Sequence, residues 1–152
     1  MFSFFTKKKK KKNPAPDYDS KLIKKFHKDH EKLVKQVTLV KEAVENNEPQ
    51  KAKQGLKKLK MEMLAHFMEE DIKLYWYLKH HYKESSDTIE TIKMFEESIK
   101  RIQKEVVAFI DHYSRDEIKF DMVFDKDFQG IIDALSSRME TEESSLYTLY
   151  KK

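Results

Sequence analysis

Residues that interrupt helices are scarce in this chain, which has only two glycines and three prolines among its 152 residues. Lys, Glu, Leu, Ile and Met fill the long stretches between them, and these residue types favour helices. A chain of this length suits one domain built around one hydrophobic core. The sequence therefore predicts a single all-α domain.

Four stretches of the chain repeat apolar residues every three or four positions, which is the spacing of an amphipathic helix. The first stretch ends near Asn46 and Asn47. The second has Pro49 in its first turn, where a helix tolerates proline, and runs towards Tyr82. Short connections favour neighbours that run in opposite directions, so the pattern predicts an antiparallel up-and-down four-helix bundle.

Polar residues that cap helices mark the expected helix starts. The candidate caps are Asp17 or Ser20 for the first helix, Asp87 for the third, and Asp125 or Asp127 for the fourth. Residues 114–124 would then form the loop between the third and fourth helices.

Positive charge is concentrated near the N-terminus. Lys7–Lys12 supply six charges, so the other residues carry about −2 of the formal total of +4. We expect residues 1–16 to form a disordered Lys-rich tail and residues 17–152 to form the bundle. The tail could make weak contact with anionic lipid, but no stretch reaches the roughly 18 to 20 apolar residues that cross a bilayer.

The residue types that are missing exclude several kinds of site. Without cysteine the chain has no disulfide or thiolate chemistry, which fits a cytoplasmic protein. Any metal must then be held by His, Asp, Glu or Tyr. We find no glycine-rich phosphate loop, catalytic triad or basic recognition helix, so we expect no nucleic-acid partner, and nothing in the sequence requires an enzyme.

Three histidine and carboxylate positions suggest a metal site. His66 and Glu70 are four residues apart and share one helix face. His30 precedes Asn46 by about as many residues as separate Pro49 from His66, so both histidines reach the same height at about 1.5 Å per residue. Two imidazoles and a carboxylate suit non-heme iron. The remaining histidines are expected at the surface or at its boundary with the core, and these are His27, His80, His81 and His112.

Other groups of residues have a structural interpretation. The aromatic residues Tyr75-Trp76-Tyr77 with Tyr82, and Tyr147 and Tyr150, are expected to close one end of the core. The methionines would fill gaps in it. Lysines of the helices alternate with glutamates, as on a solvated face.

The motif around the candidate ligands resembles the hemerythrin HHE cation-binding family. The similarity rests on Asp29-His30-Glu31-Lys32-Leu33 and on the stretch 64–70 with the following Leu74-Tyr75, and it covers about residues 18–150. It implies a hemerythrin-like four-helix bundle whose metal ligands are His30, His66 and Glu70.

The second half of the site lacks the histidines that this family carries. By the same resemblance, Glu142 corresponds to Glu70, whereas Arg138 and Ile99 stand where members with a two-iron centre have histidine. An arginine cannot ligate a metal but can pair with two carboxylates. We therefore expect Arg138 to bridge Glu142 and Glu70, and the site to hold one non-heme iron or no metal.

Two functions remain open from the sequence. The first is a hemerythrin-like protein that binds or senses one divalent cation. The second is a metal-free bundle that binds a protein partner, because Ala134–Arg138 followed by Glu142 is similar to the last helix of regulators that sequester a housekeeping sigma factor. The sequence does not reveal the oligomeric state.

Overall fold

The computed structural model describes residues 14–152, and this part of the chain contains helices and no β-strand. The elements are α1 (Leu22–Glu45), α2 (Pro49–Glu69), a first π-helical segment (Glu70–Tyr75), α3 (Trp76–His81), α4 (Ser86–Tyr113), α5 (Met122–Thr141), a second π-helical segment (Glu142–Leu146) and a 3₁₀ turn (Tyr147–Leu149). The first π segment joins α2 to α3 without a break, and the second continues α5. The elements therefore form four rods, and the all-α prediction is confirmed.

Most of the predicted tail, including Lys7–Lys12, lies outside the described residues. Residues 14–16 have no regular secondary structure. Among the described residues, no helix combines the length and the apolar composition that crossing a membrane requires.

Contacts between neighbouring rods show that they run in opposite directions, because the residue number rises along one rod as it falls along the next. The contacting pairs are Lys25–Glu69 and Gln36–Gly55 for the first and second rods, Lys60–Asp111 and Lys79–Glu96 for the second and third, Phe95–Arg138 and Phe109–Phe128 for the third and fourth, and Asp19–Tyr150 and His30–Glu142 for the first and fourth. The predicted antiparallel up-and-down bundle is confirmed.

Three helices, α1, α4 and α5, are preceded by residues other than the predicted caps. The residues that precede α1, α4 and α5 are Lys21, Ser85 and Asp121, not Asp17 or Ser20, Asp87, and Asp125 or Asp127. Before α1, Asp19 shapes the turn, since its Oδ1 accepts a hydrogen bond from the Lys21 N–H at 2.9 Å. Asp87 lies in the first turn of α4, where a carboxylate still favours the positive end of the helix dipole.

Helix α5 begins earlier than predicted because Phe124 must be buried. The Asp121 carboxylate caps the helix by accepting a hydrogen bond from the Phe124 N–H at 3.0 Å. Phe124 is 1% exposed and packs against Phe109 and Phe128. The predicted loop over residues 114–124 is therefore too long by three residues.

Two apolar clusters form the core, and buried polar residues separate them along the rods. On α1, Phe26 belongs to the smaller cluster and Leu33 to the larger one, with His30 between them. The polar residues at this level of the bundle are His30, His66, Glu70, Arg138 and Glu142, all less than 5% exposed. We call this set the polar layer.

Lys53 is an exception to the solvated lysine face that the sequence predicts, because it is only 3% exposed. Its Nζ donates hydrogen bonds to the backbone oxygens of Tyr113 at 3.1 Å, Ile118 at 2.7 Å and Arg115. The last carbonyls of a helix lack partners within the helix. Lys53 therefore fastens α2 to the end of α4 and the loop that follows.

The methionines do not fill the core as predicted. Four of them are between 63% and 86% exposed, namely Met61, Met68, Met94 and Met122, whereas Met63 is fully buried. Methionine has a high helix propensity, which accounts for its presence on the outer faces of the helices without any role in the core. His80, His81 and His112 are exposed as expected, and His27 is half-buried.

Candidate metal centre

Four buried side chains bring ligand atoms together in the polar layer. They are His30, His66, Glu70 and Glu142, and one donor atom of each lies within 4.8 Å of the others. His30 Nε2 is 3.2 Å from His66 Nε2 and 3.0 Å from Glu142 Oε1. His66 Nε2 is 3.3 Å from Glu70 Oε2. The structure thus brings together the three predicted ligands and adds Glu142, which we had expected only to line the second half.

Each π segment begins at a carboxylate of this cluster and aims it inward. Residues 66, 70, 74 and 78 are all buried at four-residue steps. In a regular α-helix each such step overshoots a full turn by about 40°. Three steps would therefore turn the last residue well away from the face of the first. The wider π turn offsets this rotation, and π turns often occur at functional sites. The same steps recur at residues 138, 142, 146 and 150.

Carboxylates outside the cluster orient both imidazoles. His30 Nδ1 is 2.7 Å from Glu143 Oε2, and His66 Nδ1 is 2.9 Å from Asp29 Oδ2. Each Nδ1–H therefore donates outward, and each Nε2 points into the cluster as metal-binding histidines do. Sequence analysis missed the roles of Asp29 and Glu143, although each lies next to a cluster residue in the chain.

Tyr147 contributes its hydroxyl to the polar layer, a role that sequence analysis also missed. The hydroxyl donates to Glu70 Oε2 at 2.6 Å and lies 3.1 Å from His30 Nε2. Burial and the negative charges of Glu70 and Glu142 raise the pKa of Tyr147 far above its ordinary value. The hydroxyl therefore keeps its proton. Its ring also belongs to the smaller apolar cluster, as predicted for the end of the core, whereas Trp76 of the same predicted group is 43% exposed.

Arg138 does not bridge the two carboxylates, so that prediction is wrong. Its Nε donates to Glu142 Oε2 at 3.3 Å, and its Nη2 donates to the Tyr75 hydroxyl at 2.6 Å. Among the described residues no ion pair joins Arg138 to Glu70. Glu70 is instead held by His66 and Tyr147, while Tyr75 takes the second contact of the guanidinium. Ile99 is buried in the larger apolar cluster and offers no donor.

Proton affinities in the layer reflect burial and close charges. Burial opposes the charged form of His66, but the nearby carboxylates of Glu142, Glu70 and Asp29 outweigh it and raise its pKa to about 10. Burial raises the pKa of Glu70 to about 7, although its bond with His66 acts in the opposite direction. The hydrogen bond with His30, the nearby His66 and the Arg138 charge overcome burial and hold the pKa of Glu142 far below its usual range.

The donor set fits a metal cation. With both Nδ1 protons donated outward, two neutral rings would turn their Nε2 lone pairs towards each other, so a positive charge between them is favourable. Glu70 Oε1 is buried and has no hydrogen-bond partner among the described residues. Buried carboxylate oxygens without a partner are costly, and coordination would satisfy this one. Imidazole and carboxylate donors together suit iron and other divalent transition metals.

Comparison with known proteins agrees with this chemistry. The sequence model of the hemerythrin HHE cation binding domain matches residues 21–150, which include all four rods and the whole polar layer. No curated protein and no solved structure matches the chain. Since the match covers most of the chain, the protein belongs to the hemerythrin HHE cation binding domain family.

Proposed function

We propose that the protein binds one divalent cation, with iron as the physiological metal, and acts as a binding or sensing protein rather than an enzyme. The ligands are His30, His66, Glu70 and Glu142. The observation that carries this proposal is the facing pair of Nε2 atoms, each fixed by a carboxylate on the far side of its ring. This arrangement orients both imidazoles for a cation before the cation arrives.

Iron is proposed because two histidines with carboxylates form a common non-heme iron ligand set. A bound iron ion supplies a centre that can exchange electrons and small ligands. The chain supplies the surroundings: Asp29 and Glu143 hold the rings, and Tyr147 keeps a proton on its hydroxyl next to Glu70.

One ion rather than two is proposed because of Arg138. Its guanidinium is permanently charged, offers no lone pair and is held by Glu142 and Tyr75. A second cation beside it would meet the fixed positive charge of the guanidinium and would have to compete with it for Glu142. Ile99 would add no ligand there.

A sensing role is favoured by the small size of the cavity next to His66, the one proposed ligand that lines it. The cavity that borders His66 and Asp29, between α1 and α2, has about 140 Å³. Organic ligands usually occupy pockets of roughly 300–1,000 Å³. Water or a diatomic gas such as dioxygen or nitric oxide fits this space better than an organic substrate. A cytoplasmic location stays a prediction.

Metal content of protein purified without a histidine tag tests the proposal. After anaerobic loading with ferrous iron and removal of unbound metal, we expect elemental analysis to find about one iron per chain. His66→Gln should lose it, whereas His80→Gln, which changes an exposed histidine, should keep it. Protein that retains no metal, or two ions per chain, would contradict the proposal. Copurification of metal-free protein with a sigma subunit would support the alternative function.

A further inference from the structure

A groove of about 580 Å³ lies between α4 and α5 and is separate from the four candidate ligands. Its volume is within the range of roughly 300–1,000 Å³ that small-molecule sites occupy. Arg138 lines it, so the groove reaches the outer side of the polar layer at the place where the second half of the site lacks histidine. This position makes the groove the strongest candidate for a second binding site.

The charged side chains of the groove are both cationic. Arg138 and Arg101 line it, and no carboxylate does. Arg138 is 4% exposed and uses Nε and Nη2 for Glu142 and Tyr75. Its Nη1 makes no hydrogen bond to any described residue. A guanidinium that is largely buried but leaves Nη1 accessible from the groove favours an anionic group that can accept a hydrogen bond from it.

The rest of the groove wall is largely apolar. Phe95 packs under the guanidinium, with its ring centroid 5.4 Å from Arg138 Cζ. Ile102, Ala134 and the exposed Met94 extend the wall along the two helices. A small inorganic anion would leave this surface uncovered, whereas a ligand with an apolar body would bury it.

We propose that this groove binds an organic monocarboxylate with an aliphatic chain. The carboxylate accepts hydrogen bonds from Arg138 Nη1 and meets the charge of Arg101, and the chain lies against Phe95, Ile102 and Ala134. Since Arg138 is already paired with Glu142 and Arg101 is the other cation of the groove, one negative charge on the ligand suits the groove better than two. The proposal does not depend on whether the four candidate ligands hold a metal.

Calorimetric titration of the full chain with sodium octanoate tests this site, with octanamide as a neutral probe of the same length. We expect saturable binding of octanoate at one site, and at least roughly tenfold weaker binding of octanamide, since an arginine–carboxylate contact is lost. Acetate should bind more weakly than octanoate because it buries little apolar surface. Equal affinities for octanoate and octanamide would overturn the proposal.

Two variants locate the binding without altering Arg138. Ala134→Trp should fill the groove and abolish octanoate binding, whereas Ser136→Trp, at an exposed position of the same helix outside the groove, should not. Arg101→Gln should weaken binding roughly threefold to tenfold by removing one charge, and Lys93→Gln on the opposite side of α4 should leave it unchanged. If Ala134→Trp folds and still binds octanoate as the wild type does, the assignment is refuted. If that variant does not fold, undiminished binding by Arg101→Gln refutes it.

Discussion

The Nε2 atoms of His30 and His66 lie 3.2 Å apart in the bundle interior, each on a ring that a carboxylate holds from behind. This relationship connects the fold to the proposed chemistry. Antiparallel packing of α1 and α2 puts the two histidines at one height, and the first π segment turns Glu70 towards them. Asp29 and Glu143 then fix which nitrogen faces the cluster, so the ligand atoms need little rearrangement to take up a cation.

Asp29 should matter for metal affinity although it is not a proposed ligand. Asp29→Asn keeps the shape of the side chain but removes the charge that orients His66 Nδ1–H. We expect the metal affinity to fall roughly 10–100-fold, the usual cost of losing such a partner. The measurement is a competition titration against a chelator. Asp111→Asn, which loses a surface ion pair with Lys60, serves as the control and should bind as the wild type does.

Metal affinity should rise with pH because the metal displaces protons. In the metal-free protein the carboxylates around His66 outweigh burial and raise its pKa to about 10, so the ring is charged at neutral pH. Below pH 7 the protonated Glu70 would add a second displaced proton. We expect the apparent affinity to increase by roughly tenfold per pH unit for each proton released. Calorimetry in two buffers with different heats of protonation measures the number of protons.

The same proton also affects the stability of the metal-free fold. The pKa of His66 is raised from 6.5 in the unfolded chain, so its contribution to stability is complete below pH 6.5 and is lost as the pH rises through about 10. The contribution of His66 to the free energy of unfolding of the metal-free protein should therefore be smaller at pH 10 than at pH 7. The His66→Gln variant should lack this part of the pH dependence. Urea unfolding of the metal-free protein at several pH values measures this, and an identical pH dependence in the wild type and in His66→Gln would contradict the expectation.

The sequence predicted the bundle because helical periodicity and scarce turns leave few alternatives. It placed His30, His66 and Glu70 at one level because the rise per residue is constant along a helix. Helix starts were less predictable: the cap of α5 depends on burying Phe124, which is a tertiary effect. Lys53 looked like any surface lysine, since only the fold brings the carbonyls of Tyr113 and Ile118 to it.

The sequence carries a signal for both π segments. From His66 to Leu78, every fourth residue gives two polar and then two apolar side chains. The same order recurs from Arg138 to Tyr150. Repeated steps of four drift around a regular α-helix, so a stretch that must keep one face inward requires a wider turn. The contacts of Arg138 could not be inferred from the sequence. Only the packing of the helices shows that the Tyr75 hydroxyl, and not Glu70, lies within hydrogen-bond distance of the guanidinium.

Arg138 should be essential for stability because it neutralises a buried carboxylate. Arg138→Met removes the permanently charged partner of the fully buried Glu142, which then keeps only His30 and Tyr147 as hydrogen-bond partners in the described part of the chain. It also leaves the Tyr75 hydroxyl without its donor. We expect the free energy of unfolding to fall by about 3–5 kcal/mol, as when one partner of a buried ion pair is lost. Urea unfolding in the presence of a chelator measures this loss. Arg101→Met, at an exposed position, should change stability by no more than about 0.5 kcal/mol.

Lys53 should stabilise the end of α4 and the loop before α5. Lys53→Met keeps the aliphatic part of the side chain but removes the hydrogen bonds to Tyr113, Arg115 and Ile118. We expect a loss of at least about 2 kcal/mol, because each bond involves a charged donor. Hydrogen exchange should show faster exchange in residues 113–121, and the exposed Lys51→Met serves as the control. If residues 113–121 exchange at the same rates in Lys53→Met as in Lys51→Met, Lys53 does not have this role.

Restoring the two missing histidines should change the number of bound ions. Arg138→His combined with Ile99→His removes the fixed positive charge and adds two donors at the positions that correspond to His66 and His30. Glu142 is then released from its ion pair and can face the new donors, while Glu70 keeps its bond with Tyr147. We expect elemental analysis to rise from about one to about two irons per chain in the double variant. Arg138→His alone should stay near one, because Ile99 remains apolar. A double variant that folds yet still binds one ion would show that Arg138 is not what limits the site.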